Sequence, residues 1–275
     1  MLRERVLTVA VILPLVLAAL FLLPNLTWGC VLIAGIVIAA WEWARLAGVG
    51  PALRTLYSAL LAAGCASILW WQWAAAGRAE FAFSPGGKLL YGAAVAFWLG
   101  IAPAWLWFRP RVRDPRLLAL VGAIILLPFW HAVVWLQNSP WRLLLALSVV
   151  WVADTAAYFV GRRFGRRKLA PEISPGKTWE GVWAAMAAVS LYWLVISLCV
   201  PELRSRVVSG LVGVWLMTLL SILGDLFESW MKRVAGVKDS GRLLPGHGGL
   251  LDRIDSLSAV MPVAALYFAC PLRVA

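Results

Sequence analysis

The stretch SWMKRVAGVKDSGRLLPGHGGLLDRID, residues 229–255, decides how this chain is read. The 275-residue sequence is 63% hydrophobic and 14% charged, yet these 27 residues carry eight charged side chains: Lys232, Arg233, Lys238, Asp239, Arg242, Asp252, Arg253 and Asp255. Glu228 stands just ahead of them. Apolar segments, 207–227 and 256–271, enclose the stretch on both sides. A polar loop pinned between two membrane spans is where such a chain can do chemistry.

The loop's composition suggests which chemistry. Its five cations attract anions. Its glycines (Gly236, Gly241, Gly246, Gly248 and Gly249) let backbone N–H groups approach a ligand. Asp239, Asp252 and Asp255 are hard oxygen donors suited to Mg²⁺. Cations, bare donors and carboxylates together suit phosphoryl or nucleotidyl transfer. Composition alone equally allows a solvated basic loop on the cytoplasmic side of a membrane.

The order of the residues goes further. Ser229, Lys232-Arg233, Lys238-Asp239, Pro245, His247-Gly248-Gly249, Asp252-Arg253 and Asp255 resemble the signature of the phosphatidate cytidylyltransferases, or CDP-diacylglycerol synthases. Gly224-Asp225 and the segment from Asp154 (DTAAYFVGRR) through SPGKTWEG, ending at Gly181, resemble the same family, so the likeness covers the C-terminal half. It implies transfer of a cytidylyl group from CTP to phosphatidate, giving CDP-diacylglycerol and pyrophosphate for phospholipid biosynthesis. On that reading Asp225 and Asp252 hold Mg²⁺, with Mn²⁺ as the alternative, and act in catalysis with Lys232 and Lys238. Lys232, Arg233, Lys238 and Arg253 hold phosphates, Gly248 and Gly249 offer backbone donors, and Ser174 and Lys177 bind the lipid phosphate or the triphosphate. Ser229, Asp239 and His247 complete the substrate-binding set, and Asp154, Glu228 and Asp255 are further candidates. The partners implied are CTP, phosphatidate and membrane lipids, with no nucleic acid; a homodimer is left open.

The rest of the chain fits an all-α polytopic integral membrane protein. Mean hydropathy is +0.84, and nine apolar segments approach spanning length: 6–24, 27–47, 53–76, 89–108, 117–136, 142–161, 179–200, 207–227 and 256–271. The first follows Arg3 and Arg5 but lacks a small-residue cleavage site, and reads as a retained span. With the N-terminus in the cytoplasm, only Arg78, Lys88, Arg142, Arg204, Arg206 and Arg273 fall outside, six of the 25 basic residues, against 19 inside. That bias predicts a cytoplasmic N-terminus, an external C-terminus and both motif-bearing loops facing the cytoplasm; with the resemblance, the expected location is a bacterial inner membrane. The +12 net charge then reflects loops facing anionic headgroups. Residues 1–140 read as mainly structural spans and 141–275 as the half with the catalytic loops.

Several residues invite a sharper reading and an ordinary one. Glu42 lies inside the second span; Arg45, three residues on, predicts a helix-end ion pair. His131 reads as a packing histidine, the tryptophans near span ends as an aromatic belt, and Cys30, Cys65, Cys199 and Cys270 as buried thiols without disulfide or metal spacing. Asp154 needs a polar partner, with Arg162 or the loop cations at hand. The run Gly176-Lys177-Thr178 mimics the end of a P-loop but lacks the earlier glycine and the βαβ setting. Thr178 or Ser174 is placed to cap the seventh span, whose N-terminus with Lys177 makes an anion site. Asp225, Glu228 and Ser229 share a helix face, and Asp255 is placed as a cap of the last helix.

Three rivals remain. A transporter of an anionic solute would use Asp154 and Asp225 as coupling-ion sites, but the polar residues crowd into one half. A CDP-alcohol phosphotransferase would need the dense aspartate motif DGxxAR, which is missing. A membrane scaffold has no use for so many carboxylates. The orientation predicts that reporters fused at residues 170 and 246 read cytoplasmic and one at 275 external. An external signal at 246 with a cytoplasmic one at 275 reverses it.

Overall fold

The structure, a computed structural model, describes residues 2–74, 84–243 and 248–269. Helices α1 (Leu2–Leu22), α2 (Asn25–Leu46) and α3 (Pro51–Ala74) are followed by α4 (Pro85–Ala96), a π-helical turn (Phe97–Ile101) and α5 (Ala102–Phe108). Then come α6 (Pro115–Gln137), α7 (Pro140–Phe164), strands β1 (Lys168–Ala170) and β2 (Ser174–Thr178), α8 (Trp179–Cys199), a 3₁₀ turn (Pro201–Arg206), α9 (Val207–Val234) and α10 (Leu251–Ala269). The chain is an all-α polytopic membrane protein carrying one small β-hairpin. Helices dominate because a segment in hydrocarbon must satisfy its own backbone polar groups.

Each of the nine apolar segments is helical in its described part. Among the described residues, seven helical stretches are long and apolar enough to cross a membrane; α1 contributes a shorter apolar run, Leu13–Leu22, and α10 is not among the seven. The 89–108 segment is not one regular helix, because the π turn interrupts it. Helix α9 runs on to Val234, past the expected end at 227, and α10 begins at Leu251, ahead of 256. The polar loop is therefore shorter than the sequence implied, and Glu228, Ser229, Lys232 and Arg233 are helical.

Local chemistry sets the boundaries. Ser84, Asp114 and Thr178 cap α4, α6 and α8 through side-chain bonds to Gly87 N, Arg116 N and Gly181 N. Helix α9 ends in a Schellman motif: Gly236 N donates to Arg233 O and Val237 N to Lys232 O, with Gly236 at φ +73°. Gln137 closes the α1–α2 turn. Its amide donates to Leu20 O and Leu23 O and accepts from Asn25 Nδ2.

Helix α10 packs against α9, α6 and α7, while α8 lies on α7 and α9. Phe227, buried near the polar end of α9, is ringed by Phe97, Trp98 and Trp105 edge-on and by Trp43 in a stack. Aromatic pairs of this kind contribute about 0.5–1.5 kcal/mol each beyond their burial, so the N-terminal helices wall the back of α9 where its charges begin. His131 is buried and satisfied by Tyr91 and Gln72, as expected of a packing histidine. Of the cysteines, Cys65 is buried, but Cys30 and Cys199 lie on the outer surface and Cys270 is outside the described residues.

Gly224 allows α9 to meet α10 closely: a Cβ there would sit 2.5 Å from Asp255 O and 3.1 Å from Ala259 Cβ. Because the nearest atom is backbone, no rotamer change relieves the clash. Gly224→Ala should destabilise the purified protein by about 1–3 kcal/mol, read as a lowered melting temperature in detergent.

Candidate active site

The polar end of α9 presents its functional side chains at helical spacing. Glu228 and Lys232 are i,i+4 neighbours, and Lys232 Nζ lies 3.1 Å from Glu228 Oε1 and 2.6 Å from Asp252 Oδ1 of α10. All three are buried, at 4%, 7% and 8% exposure. A buried ammonium between two carboxylates fixes the α9–α10 register, since removing it strands two charges.

Asp252 is the most heavily bonded carboxylate. Its Oδ2 accepts from Ser240 N (2.9 Å), Ser240 Oγ (2.9 Å) and Gly249 N (2.8 Å). It lies ahead of the apolar part of α10. Burial alone would raise its carboxyl, but the Lys232 bond and charge with the Gly249 and Ser240 N–H groups outweigh it and hold it below the ordinary carboxylate range. The stability this lends is complete above that range and is lost as pH falls through the lowered value. Asp252, not Asp255, thus accepts at the start of α10; the Asp255 carboxyl accepts from its neighbour Ser256 N, at 2.8 Å. Gly248, at φ +82°, approaches Asp252 so closely that a Cβ would lie 2.7 Å from Oδ2.

A second ion pair lies alongside. The β-hairpin brings Lys177 to Asp225, Nζ to Oδ2 2.6 Å, and Ser229 Oγ donates to Asp225 Oδ1 at 3.1 Å. Here the side chains are 23% and 31% exposed, so the pair is open to exchange. The hairpin pairs Lys168 with Thr178 and Ala170 with Ser174. Glu180 fastens its base by accepting from Arg166 N and Arg167 N. Its tip is held by Arg109–Glu172 (2.6 Å) and by Arg233 Nε donating to Ile173 O (3.3 Å).

The two pairs form one charged network. Asp154 accepts from Ser221 Oγ at 3.4 Å and feels the charges of Lys177 and Asp225. Asp255 feels Asp225, Lys232 and Lys177. Of the partners expected for Asp154, Arg162 turns instead to Tyr158 OH, at 3.0 Å, and the loop cation Lys177 supplies the positive charge. The network holds five carboxyl groups (Asp154, Asp225, Glu228, Asp252, Asp255) and two ammonium groups (Lys177, Lys232). Among the described residues, no three His, Cys, Asp or Glu side chains converge as a preformed metal cage.

The remaining sequence candidates divide by exposure. Arg233, Lys238, Asp239 and Arg253 are exposed around the network, and Ser174 is half-buried on β2. Lys232, expected to hold phosphate, is instead committed to Glu228 and Asp252, and the Gly249 N–H to Asp252. His247 lies outside the described residues, as do Pro245 and Gly246. Sequence reasoning missed Ser240 and misjudged Glu42. Glu42 and Arg45 do not pair with each other: Glu42 Oε2 accepts from Ser240 Oγ (3.0 Å) and Leu251 N (2.8 Å), and Arg45 donates to Ser240 O. An acidic residue buried in a span was the available signal; its partners lie some 200 residues along the chain.

Lys232→Met should destabilise the protein by about 3–5 kcal/mol, the usual cost of breaking a buried pair from one side. Lys238→Ala, at an exposed site, should leave the detergent melting curve unchanged.

The chain matches the family described as the cytidylyltransferase family over residues 3–271. It is 40% identical to a protein of Pseudomonas aeruginosa named phosphatidate cytidylyltransferase, over 98% of both chains. It is 37% identical to one of the same name from Haemophilus influenzae, over 98% of this chain and 99% of that one. A Brucella suis protein of that name is 48% identical over 130 residues, 44% of each chain. On a match of this extent, supported along nearly the full length by two relatives, the chain belongs to the cytidylyltransferase family.

Proposed function

We propose that this protein transfers a cytidylyl group from CTP to phosphatidate, releasing pyrophosphate and forming CDP-diacylglycerol. The observation that carries this reading is the exchangeable Lys177–Asp225 pair in a carboxylate-rich network at the polar end of α9, within a chain so similar to proteins named for that reaction. A phosphate oxygen of the lipid attacks the α-phosphorus of CTP, a new P–O bond forms, the bond from the α-phosphorus to the bridging oxygen breaks, and pyrophosphate leaves. The attacking oxygen is already anionic, so no side-chain nucleophile is required. The protein's task is to align two anions and offset their repulsion.

Residue roles follow from exposure and partners. Lys177 can turn from Asp225 to an incoming phosphate. The exposed Lys238, Arg233 and Arg253 would take the triphosphate, with Ser174 on the same strand as Lys177. Lys232 keeps Asp252 and Glu228 in place. Both substrates meet at the polar ends of the spans, and the charge bias of the loops supports nine spans with this face in the cytoplasm of a bacterial inner membrane. The transporter alternative has no support, since the matching family and relatives are transferases by name.

The donor set also suits Mg²⁺. A network rich in carboxyl groups favours a hard cation, and Mg²⁺ is usually held by one or two carboxylates plus substrate phosphates, so a preformed cage is not required. Asp225, by exchanging Lys177, would hold it, while Asp252 stays bonded to Lys232. Bound there, it would neutralise charge on the triphosphate.

Asp225→Asn should lower kcat more than 100-fold while the protein inserts and melts normally; near-normal Mg²⁺-dependent turnover would remove Asp225 from the mechanism. Lys238→Ala should raise KM for CTP several-fold. An unchanged KM would reduce the loop to a headgroup anchor.

A further inference from the structure

Glu42 sits in α2, in the half of the chain the sequence marked as structural. It is 6% exposed, a setting in which a carboxylate persists only if its oxygens are satisfied. Oε1 accepts from Leu250 N at 3.2 Å, and Oε2 accepts from Leu251 N at 2.8 Å. These donors open α10, whose first N–H groups have no partner within the helix and whose N-terminus favours a negative charge. Glu42 therefore caps α10 from another helix.

It also grips the other end of the loop. Ser240 Oγ is 3.0 Å from Glu42 Oε2 and 2.9 Å from Asp252 Oδ2, so one hydroxyl serves both carboxylates and donates to one at a time. Arg45, one turn along α2, donates to Ser240 O. Glycines at 241 and 249 let the loop close over the carboxylate. A Cβ on Gly241 would lie 2.0 Å from Glu42 Oε1, and one on Gly249 2.5 Å from either oxygen. A continuous chain of contacts thus runs Glu42–Ser240–Asp252–Lys232–Glu228.

We infer that Glu42 is a positioning residue for the transferase site: it clamps both ends of the loop between α9 and α10 and so holds Asp252 against Lys232, making the N-terminal half part of the active-site machinery. Glu42 does not touch substrate in this scheme; it acts through Ser240 and the start of α10. The inference rests on the transferase reading for its effect on turnover, but the clamp itself can be tested without any substrate. Ser240 and Gly241 lie between two exposed tryptic sites, Lys238 and Arg242, so a released loop should become easier to cut there.

The full-length protein, purified in detergent, is compared as wild type, Glu42→Gln, Glu42→Asp and Ser240→Ala. Tryptic cleavage after Lys238 and Arg242 is timed without ligand, and kcat with CTP and phosphatidate is expressed per folded molecule. Glu42→Gln turns an acceptor oxygen into an amide donor facing N–H groups. It should speed cleavage at least fivefold and lower kcat ten- to a hundredfold, the usual range for residues that orient a site from behind. Glu42→Asp, which keeps the charge, should recover part of both. Wild-type kcat per folded molecule in Glu42→Gln overturns the inference, as does activity lost only in proportion to unfolded protein. Should Glu42→Gln fail to fold, Ser240→Ala decides, since it cuts the link to Asp252 but leaves the α10 cap: kcat at least tenfold lower at an unchanged melting temperature supports the clamp, and unchanged kcat overturns it. If the wild type shows no transfer from CTP to phosphatidate, the transferase reading fails, and the cleavage rates alone decide whether Glu42 holds the loop.

Discussion

The buried ammonium of Lys232 is the constraint on which the rest of this structure depends. It lies within salt-bridge distance of Glu228 on its own helix and Asp252 on the next, and neither carboxylate has much water to turn to. In a low-dielectric setting such a triad is not an especially favourable way to fill space, but it is a strict one, because every displacement leaves a charge unpaired. It follows that α9 must continue as a helix past Phe227, that α10 must start with Asp252 in its first turn, and that the intervening chain must fold back to give Asp252 its Ser240 and Gly249 donors.

The second pair, Lys177–Asp225, has the same chemistry in a different setting. It is wetter, and its ammonium comes from a hairpin instead of a helix. Water reaches both of its half-buried groups, so a ligand can replace either partner at a smaller cost than in the buried Lys232 triad. One pair locks the two helices together while its neighbour stays available, and that asymmetry lets a site hold its shape and still admit two phosphate-bearing substrates. Phe227 and the aromatic side chains around it supply the rigid backing, and they come from α2 and from the segment spanning α4, the π turn and α5.

Much of this was legible in the sequence. Long apolar runs in a chain of this composition leave little choice but transmembrane helices, and the clustering of Asp225, Glu228, Lys232, Asp252 and Asp255 announced a site at one end of two of them. What escaped has physical reasons. The extension of α9 was hidden because a rise in charge density reads as a loop, although Asp225, Glu228, Ser229 and Lys232 keep helical spacing. The hairpin was hidden because Ser-Pro-Gly-Lys-Thr is a poor strand sequence by propensity; it is held by Glu180, Arg109 and Arg233 from outside. Glu42 was misjudged because local reasoning sees only Arg45 nearby. The donors that satisfy it are the far-off backbone of Leu250 and Leu251 and the hydroxyl of Ser240, and no periodicity encodes a contact of that range.

The account is tested most directly by following the label from two forms of CTP. Purified protein in detergent is given phosphatidate, Mg²⁺ and CTP labelled at either the α- or the γ-phosphorus. Label from the α-position should appear in the lipid fraction as CDP-diacylglycerol, and label from the γ-position should appear only in pyrophosphate. γ-Label in the lipid, or no lipid label from either form under conditions where the protein is folded, would contradict cytidylyl transfer.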